Sequence, residues 1–203
     1  MDIQSLTFQT ILIPTEIPRP KIYTPLICQS LFHAATNSLH HRLISAPGPS
    51  PQELIALNQT IDTWENTIPS YFQIESPYTQ SNETFLFARY RLSWRAWNLK
   101  ILLSRPVILH WAARLKNADE KPSNNAVEEV ECRKICVQSA SATINSISEF
   151  VSTGIVSRLS TWYMLYVSNF IKFFLIHPVN AIADKETHPD ISSSRPVSCP
   201  LYA

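Results

Sequence analysis

The sequence predicts an all-α fold, an irregular bundle of about six helices, and three observations carry that reading. The first is the stretch 84–106, TFLFARYRLSWRAWNLKILLSRP. Its apolar residues Phe85, Ala88, Leu92, Ala96, Leu99 and Leu103 recur at helical spacing, and Leu86, Tyr90, Trp94, Trp97 and Ile101 form a second stripe. Two stripes give an apolar arc wider than a surface helix needs, so neighbours must cover this helix on more than one side. The second observation is that no segment alternates with period 2 for long, and no hairpin dipeptide separates two strand-like runs. The third is punctuation. The fifteen prolines cluster at 14–25, 47–51 and 189–200, outside the periodic segments, and only two glycines occur.

Taken in order, residues 1–23 read as an extended segment, because Pro14, Pro18 and Pro20 forbid a regular helix. The helical region spans 24–183. Thr24-Pro25 reads as a helix start, with Thr as cap and Pro in the first turn. Cys28, Leu31, Phe32, Ala35, Leu39 and Leu43 form the apolar face of this first helix, which ends near Ser45. Ser50-Pro51-Gln52-Glu53 is a capping box. It opens a helix with Leu54, Leu57, Ile61, Trp64 and Ile68 inward, closed by Pro69. Residues 70–81 read as a loop packed on the bundle. The central helix follows, starting near Ser81 or Asn82. Pro106 should stop it, since proline lacks an N–H and restricts Arg105 before it. A shorter helix over 107–116 comes next, then a polar loop over 118–126. Asn125 can cap a helix over 127–151, for which Val130, Val137, Ala140, Ile144, Ile147 and Val151 are the expected buried face. Ser152-Thr153-Gly154 breaks it, and an aromatic helix runs from Leu159 to about Ile176. Residues 184–203 are a polar, proline-rich tail.

The composition excludes several functions. The net charge is +1 and no basic run is present, whereas a protein that holds DNA through phosphates needs clustered Lys and Arg. Gly48 and Gly154 are too few to build a phosphate-cradling loop. Neither a G-x-S-x-G nor an H-E-x-x-H motif occurs, and acidic residues are nearly absent from the expected core, so an enzyme is not expected. Cys132 and Cys136 share a helix face but supply half a zinc site at most, so no cofactor is expected in this chain. His33 and His40 lie on one face about two turns apart, too far to share a metal.

What stands out is aromatic and arginine density around the central helix. Arg91, Trp94, Arg95 and Trp97, with Trp162 from the aromatic helix, are the candidate effector or partner surface, because Trp and Arg are favoured anchors. Core packing, with arginines stacked at the bundle edge, is the alternative for each of them.

With the helices laid out, the chain resembles the regulatory domain of fungal zinc binuclear-cluster transcription factors, the fungal-specific transcription factor domain, in its later part only. The resemblance rests on five segments in family order. They are IYTPLICQSLFHAATNSLHHRLIS at 22–45, PSPQELIALNQTIDTWENTIPSYF at 49–72, FARYRLSWRAWNLKILLSRPVIL at 87–109, CRKICVQSASATINSI at 132–147 and LSTWYMLYVSNF at 159–170. It implies a partial regulatory domain in the nucleus that does not touch DNA itself and acts by protein or effector contacts. Its partners would be the transcription machinery or the missing half of the domain. Zinc and DNA belong to the family's six-cysteine cluster, which no segment of this sequence matches. The competing expectation is a membrane-associated helical protein built around 159–179. Against it, a lone lysine such as Lys172 costs about 2.5–3.5 kcal/mol at the centre of a membrane span.

Overall fold

The computed structural model describes residues 23–76, 83–116 and 126–173. The extended segment up to residue 22 and the tail 184–203 lie outside them, as do the helix start expected near Ser81 or Asn82 and the cap expected at Asn125. The fold is all-α. Among the described residues five helices occur: α1 Thr24–Ile44, α2 Pro51–Thr67, α3 Glu83–Lys116, α4 Ala126–Ser152 and α5 Arg158–Ile171. A single 3-10 turn, Ser70–Phe72, follows α2, and no strand is present among these residues.

The count is five because Pro106 does not stop the central helix. It lies inside α3, which runs on to Lys116. A proline within a helix costs about 3 kcal/mol. Beyond it, however, Val107, Ile108 and Ala112 are all buried, and burying one Val or Ile side chain stabilises by about 1.5–3 kcal/mol. Tertiary packing therefore outweighs the local break.

Every other helix packs on α3, and its two stripes explain how. The stripe Phe85, Ala88, Leu92, Ala96, Leu99, Leu103 is buried in one cluster with Cys28, Phe32 and Leu39 of α1, Leu54, Ile61 and Trp64 of α2, and Phe72. In the second stripe Trp94 and Ile101 are fully buried, against Phe150 of α4 and Met164, Val167 and Ile171 of α5, with Leu86, Tyr90 and Trp97 half-buried beside them. The central helix thus divides two cores.

Local chemistry sets the ends. Tyr23, not Thr24, occupies the N-cap of α1 and makes no side-chain cap bond; Thr24 lies inside the helix and is buried. At α2 the Ser50 hydroxyl accepts from the Glu53 backbone N–H. The Glu53 carboxylate turns instead to Arg42 at the end of α1, in a bidentate pair whose Nη2–Oε2 arm is 2.7 Å. The box expected from the sequence is therefore half used, and its acid ties α1 to α2. Gly154 sits at φ 70°, in the left-handed region that ends α4. Ser157 and Ser160 form a reciprocal capping box for α5.

The buried face of α4 is not the expected one. Val130, Val137, Ile144 and Val151 are exposed, and Ile147 is only half-buried. Of the expected set only Ala140 is buried. The inward residues are Glu129, Cys132, Cys136, Ser139, Ala140, Thr143, Ser146 and Phe150. The reason is bulk and polarity. The ring of Trp94 fills the space under α4 and needs an acceptor for its indole N–H, which Ser146 Oγ supplies at 2.7 Å. Small side chains let α4 approach that ring; a valine face would hold it off.

Candidate functional site

Between α1, α3 and α5 lies an open cleft of about 300 Å³. Its apolar walls are Phe32, Leu99, Leu102, Tyr166 and Phe170; its polar groups are His33, His40, Arg95, Asn98 and Tyr163. Among the described residues no carboxylate lines it. Arg95 Nη1 lies 3.0 Å from His33 Nε2, and Tyr163 lines the cleft from α5. Arg91, one turn before Arg95, lies over the ring of Phe87, 5.5 Å from its centroid.

The electrostatics are one-sided. Burial and the Arg95 charge both lower the pKa of Arg91. Burial, then Arg95 and His40, hold the His33 imidazole below its ordinary value, so it favours the neutral form. The Tyr163 phenol is raised by burial, with the two arginines pulling the other way. Among the described residues neither Arg91 nor Arg95 pairs with a carboxylate. The buried Nε atoms of both, and the buried Asn98 Oδ1, lack a hydrogen-bond partner. Leaving such a group unpaired costs about 1–3 kcal/mol, more when it is charged.

The candidate residues therefore separate. Arg95 lines the cleft, whereas Arg91, one turn away, lies over Phe87 and does not line it. Trp94 belongs to the core: it is fully buried and stacks on Tyr163 at 5.9 Å. Trp97 lines a different groove of about 280 Å³ with Asn58, Asp62, Lys100 and Gln138. There Lys100 is held by Asp62 at 2.7 Å and Glu65 at 2.6 Å. Trp162 is 63% exposed and stacks on Tyr166 at 6.2 Å. His33, His40, Asn98 and Tyr163 were not expected in a site. Only the shared face of His33 and His40 hinted at it, because the groups come from three helices far apart in the chain.

Cys132 and Cys136 are buried in the α3–α4 interface, where burial raises their thiols to about 11 and about 12. Among the described residues no three His, Cys, Asp or Glu side chains are placed to hold one metal ion. No helix among these residues is long and apolar enough to cross a membrane.

A scan of protein-family models, a search of curated proteins and a search of solved structures each find no match to this chain.

Proposed function

We propose that this chain is a regulatory module of a fungal nuclear transcription regulator, one that leaves DNA contact to another part and acts through protein and effector contacts. The five segments that carry the family resemblance fall on α1 to α5. The observation that supports it most is the outer surface of α4 and α5. Val127, Val130, Val137, Ile144 and Val151 are exposed along α4, and Leu159, Trp162, Leu165 and Tyr166 along α5. Apolar side chains left exposed in this number on two helices favour an interaction site. Tryptophan and tyrosine are the residues that most often anchor a partner. The partner side of the reading is the rest of such a domain or the transcription machinery.

The test is a fusion of residues 1–203 to an unrelated DNA-binding domain, with a reporter in fungal cells and the location of the fusion read alongside. The expected result is a nuclear protein that changes reporter output relative to the DNA-binding domain alone. Val137→Lys with Ile144→Lys should remove that change while helix content stays the same. A fusion that leaves the reporter unchanged overturns the reading. The competing reading of a membrane-associated protein built around 159–179 draws no support from α5, which ends at Ile171; residues 174–179 lie outside the described set.

A further inference from the structure

We propose that the cleft between α1, α3 and α5 binds a small organic carboxylate with an apolar body, Arg95 holding the carboxylate and the aromatic walls holding the rest. The proposal supplies the effector of the module described above and rests on that reading for its regulatory meaning only.

The first argument is the contrast among the cations. Arg42 has Glu53, Lys100 has Asp62 and Glu65, and Arg114 has Glu129. Arg95 lines the cleft one turn from the Arg91 charge, and no carboxylate among the described lining residues offsets it. A bound anion supplies the missing charge, and a carboxylate matches the planar fork of a guanidinium.

The second argument is hydrogen-bond capacity. The Arg95 guanidinium lines the cleft with one N–H engaged by His33 Nε2. Its other terminal N–H groups can donate to a carboxylate held in the cleft. The third argument is shape. Phe32, Leu99, Leu102, Tyr166 and Phe170 form walls that a bare inorganic anion leaves unused. The volume of about 300 Å³ sits at the small end for ligand sites, which selects a single-ring or short-chain acid.

Protonation fits the same picture. His33 faces Arg95 from α3, Tyr163 and Tyr166 from α5 and His40 from its own helix. Burial is the larger cause of the lowered His33 pKa and the Arg95 charge the next; a carboxylate on Arg95 offsets the second of these, so binding favours a proton on His33 and strengthens as pH falls.

Isothermal titration calorimetry on the full chain tests this with four probes: 4-phenylbutyrate, its amide, 4-phenylbutylamine and inorganic phosphate. The carboxylate should bind, with the amide and amine at least about tenfold weaker, the worth of one charge-assisted bond. Arg95→Gln should abolish the preference for carboxylate over amide. Leu102→Trp, which fills the cleft without changing its charge, should abolish binding altogether and covers the case in which Arg95→Gln does not fold. Affinity for the carboxylate should be higher at pH 6 than at pH 8. Equal binding of acid and amide, binding of phosphate alone, unchanged binding by Leu102→Trp, or no binding by any probe overturns the proposal. A carboxylate that binds while the reporter fusion stays silent would keep this site and sink the transcriptional reading.

Discussion

The two flanks of α3 are built on different terms. On the α1–α2 flank the cations are held: Arg42 by Glu53, Lys100 by Asp62 and Glu65, and Arg89 by the carbonyls of Ile74 and Ser76. The apolar residues there close on one another, as in the edge contact of Phe32 and Trp64 at 4.7 Å. On the other side Arg114 has Glu129 of α4, but Arg91 lacks a carboxylate, as does Arg95 where α3 meets α1 and α5, and both α4 and α5 present apolar side chains to solvent. The α1–α2 side is tied mainly by ion pairs; the α4–α5 side carries the larger share of exposed apolar side chains. The difference teaches where to look for function in a fold whose regular elements are equally well formed on both sides.

The largest expected effect tests whether the second flank is nonetheless a real core. Trp94 is fully buried, touches Phe150 and Tyr163 and donates to Ser146. Trp94→Ala should cost about 3–5 kcal/mol, against a total of roughly 5–15 kcal/mol for a domain. Trp162→Ala, the same change on the exposed face, should stay within about 0.5 kcal/mol. Urea denaturation followed by circular dichroism measures both. Similar losses for the two would mean that the outer face of α5 is covered in the isolated chain.

The next comparison is between paired and unpaired charge. Glu129 is buried and accepts from Arg114. Glu129→Ala strands the Arg114 guanidinium, which is mostly buried, and should cost about 3 kcal/mol, the low end for breaking such a pair. Arg95→Met removes a cation that already lacks a carboxylate, and should be neutral or stabilising by up to about 1 kcal/mol. The contrast in sign, read in the same denaturation assay, separates an arginine that serves the fold from one kept for a ligand. A loss of several kcal/mol on Arg95→Met would make Arg95 structural.

Titration gives a smaller effect on the same flank. The folded His33 pKa is held below its ordinary value by burial, Arg95 and His40. The unfolded state therefore binds the proton more readily, and the sign follows. The contribution of His33 to stability is fully present above about pH 6.5, the unperturbed value, and is lost as pH falls below it. Arg95→Met should lessen that loss. Melting temperatures of both proteins between pH 5 and pH 8 check this.

These contrasts also show what the chain made legible. Both stripes of α3 could be read from spacing, because a helix covered on two sides repeats two apolar series and each found its own cluster. The cleft could not be read. His33, Arg95 and Tyr163 belong to three helices, and only packing brings them together. Pro106 misled because the cost of a proline is local, whereas the burial of Val107, Ile108 and Ala112 that offsets it is tertiary.

The last comparison concerns α4, where spacing pointed to the wrong face. Val130, Val137, Ile144 and Val151 stand seven residues apart, a period that reads as a buried seam in one dimension. The opposite face is small and polar, and it is that face which accommodates Trp94. Which face turns inward is decided by the shape of the partner helix, and aliphatic content alone does not carry that information. The consequence is measurable. Ile144→Ser should change the stability of the isolated chain by no more than about 0.5 kcal/mol. Ala140→Leu, on the buried face, should cost about 1–3 kcal/mol through overpacking against α3. The order would invert if the valine stripe were the true seam, since Ile144→Ser would then remove a core residue and Ala140→Leu would only add an isopropyl group at the surface. Denaturation of these two variants decides the orientation of α4, and with it whether the outer surface assigned to partners exists.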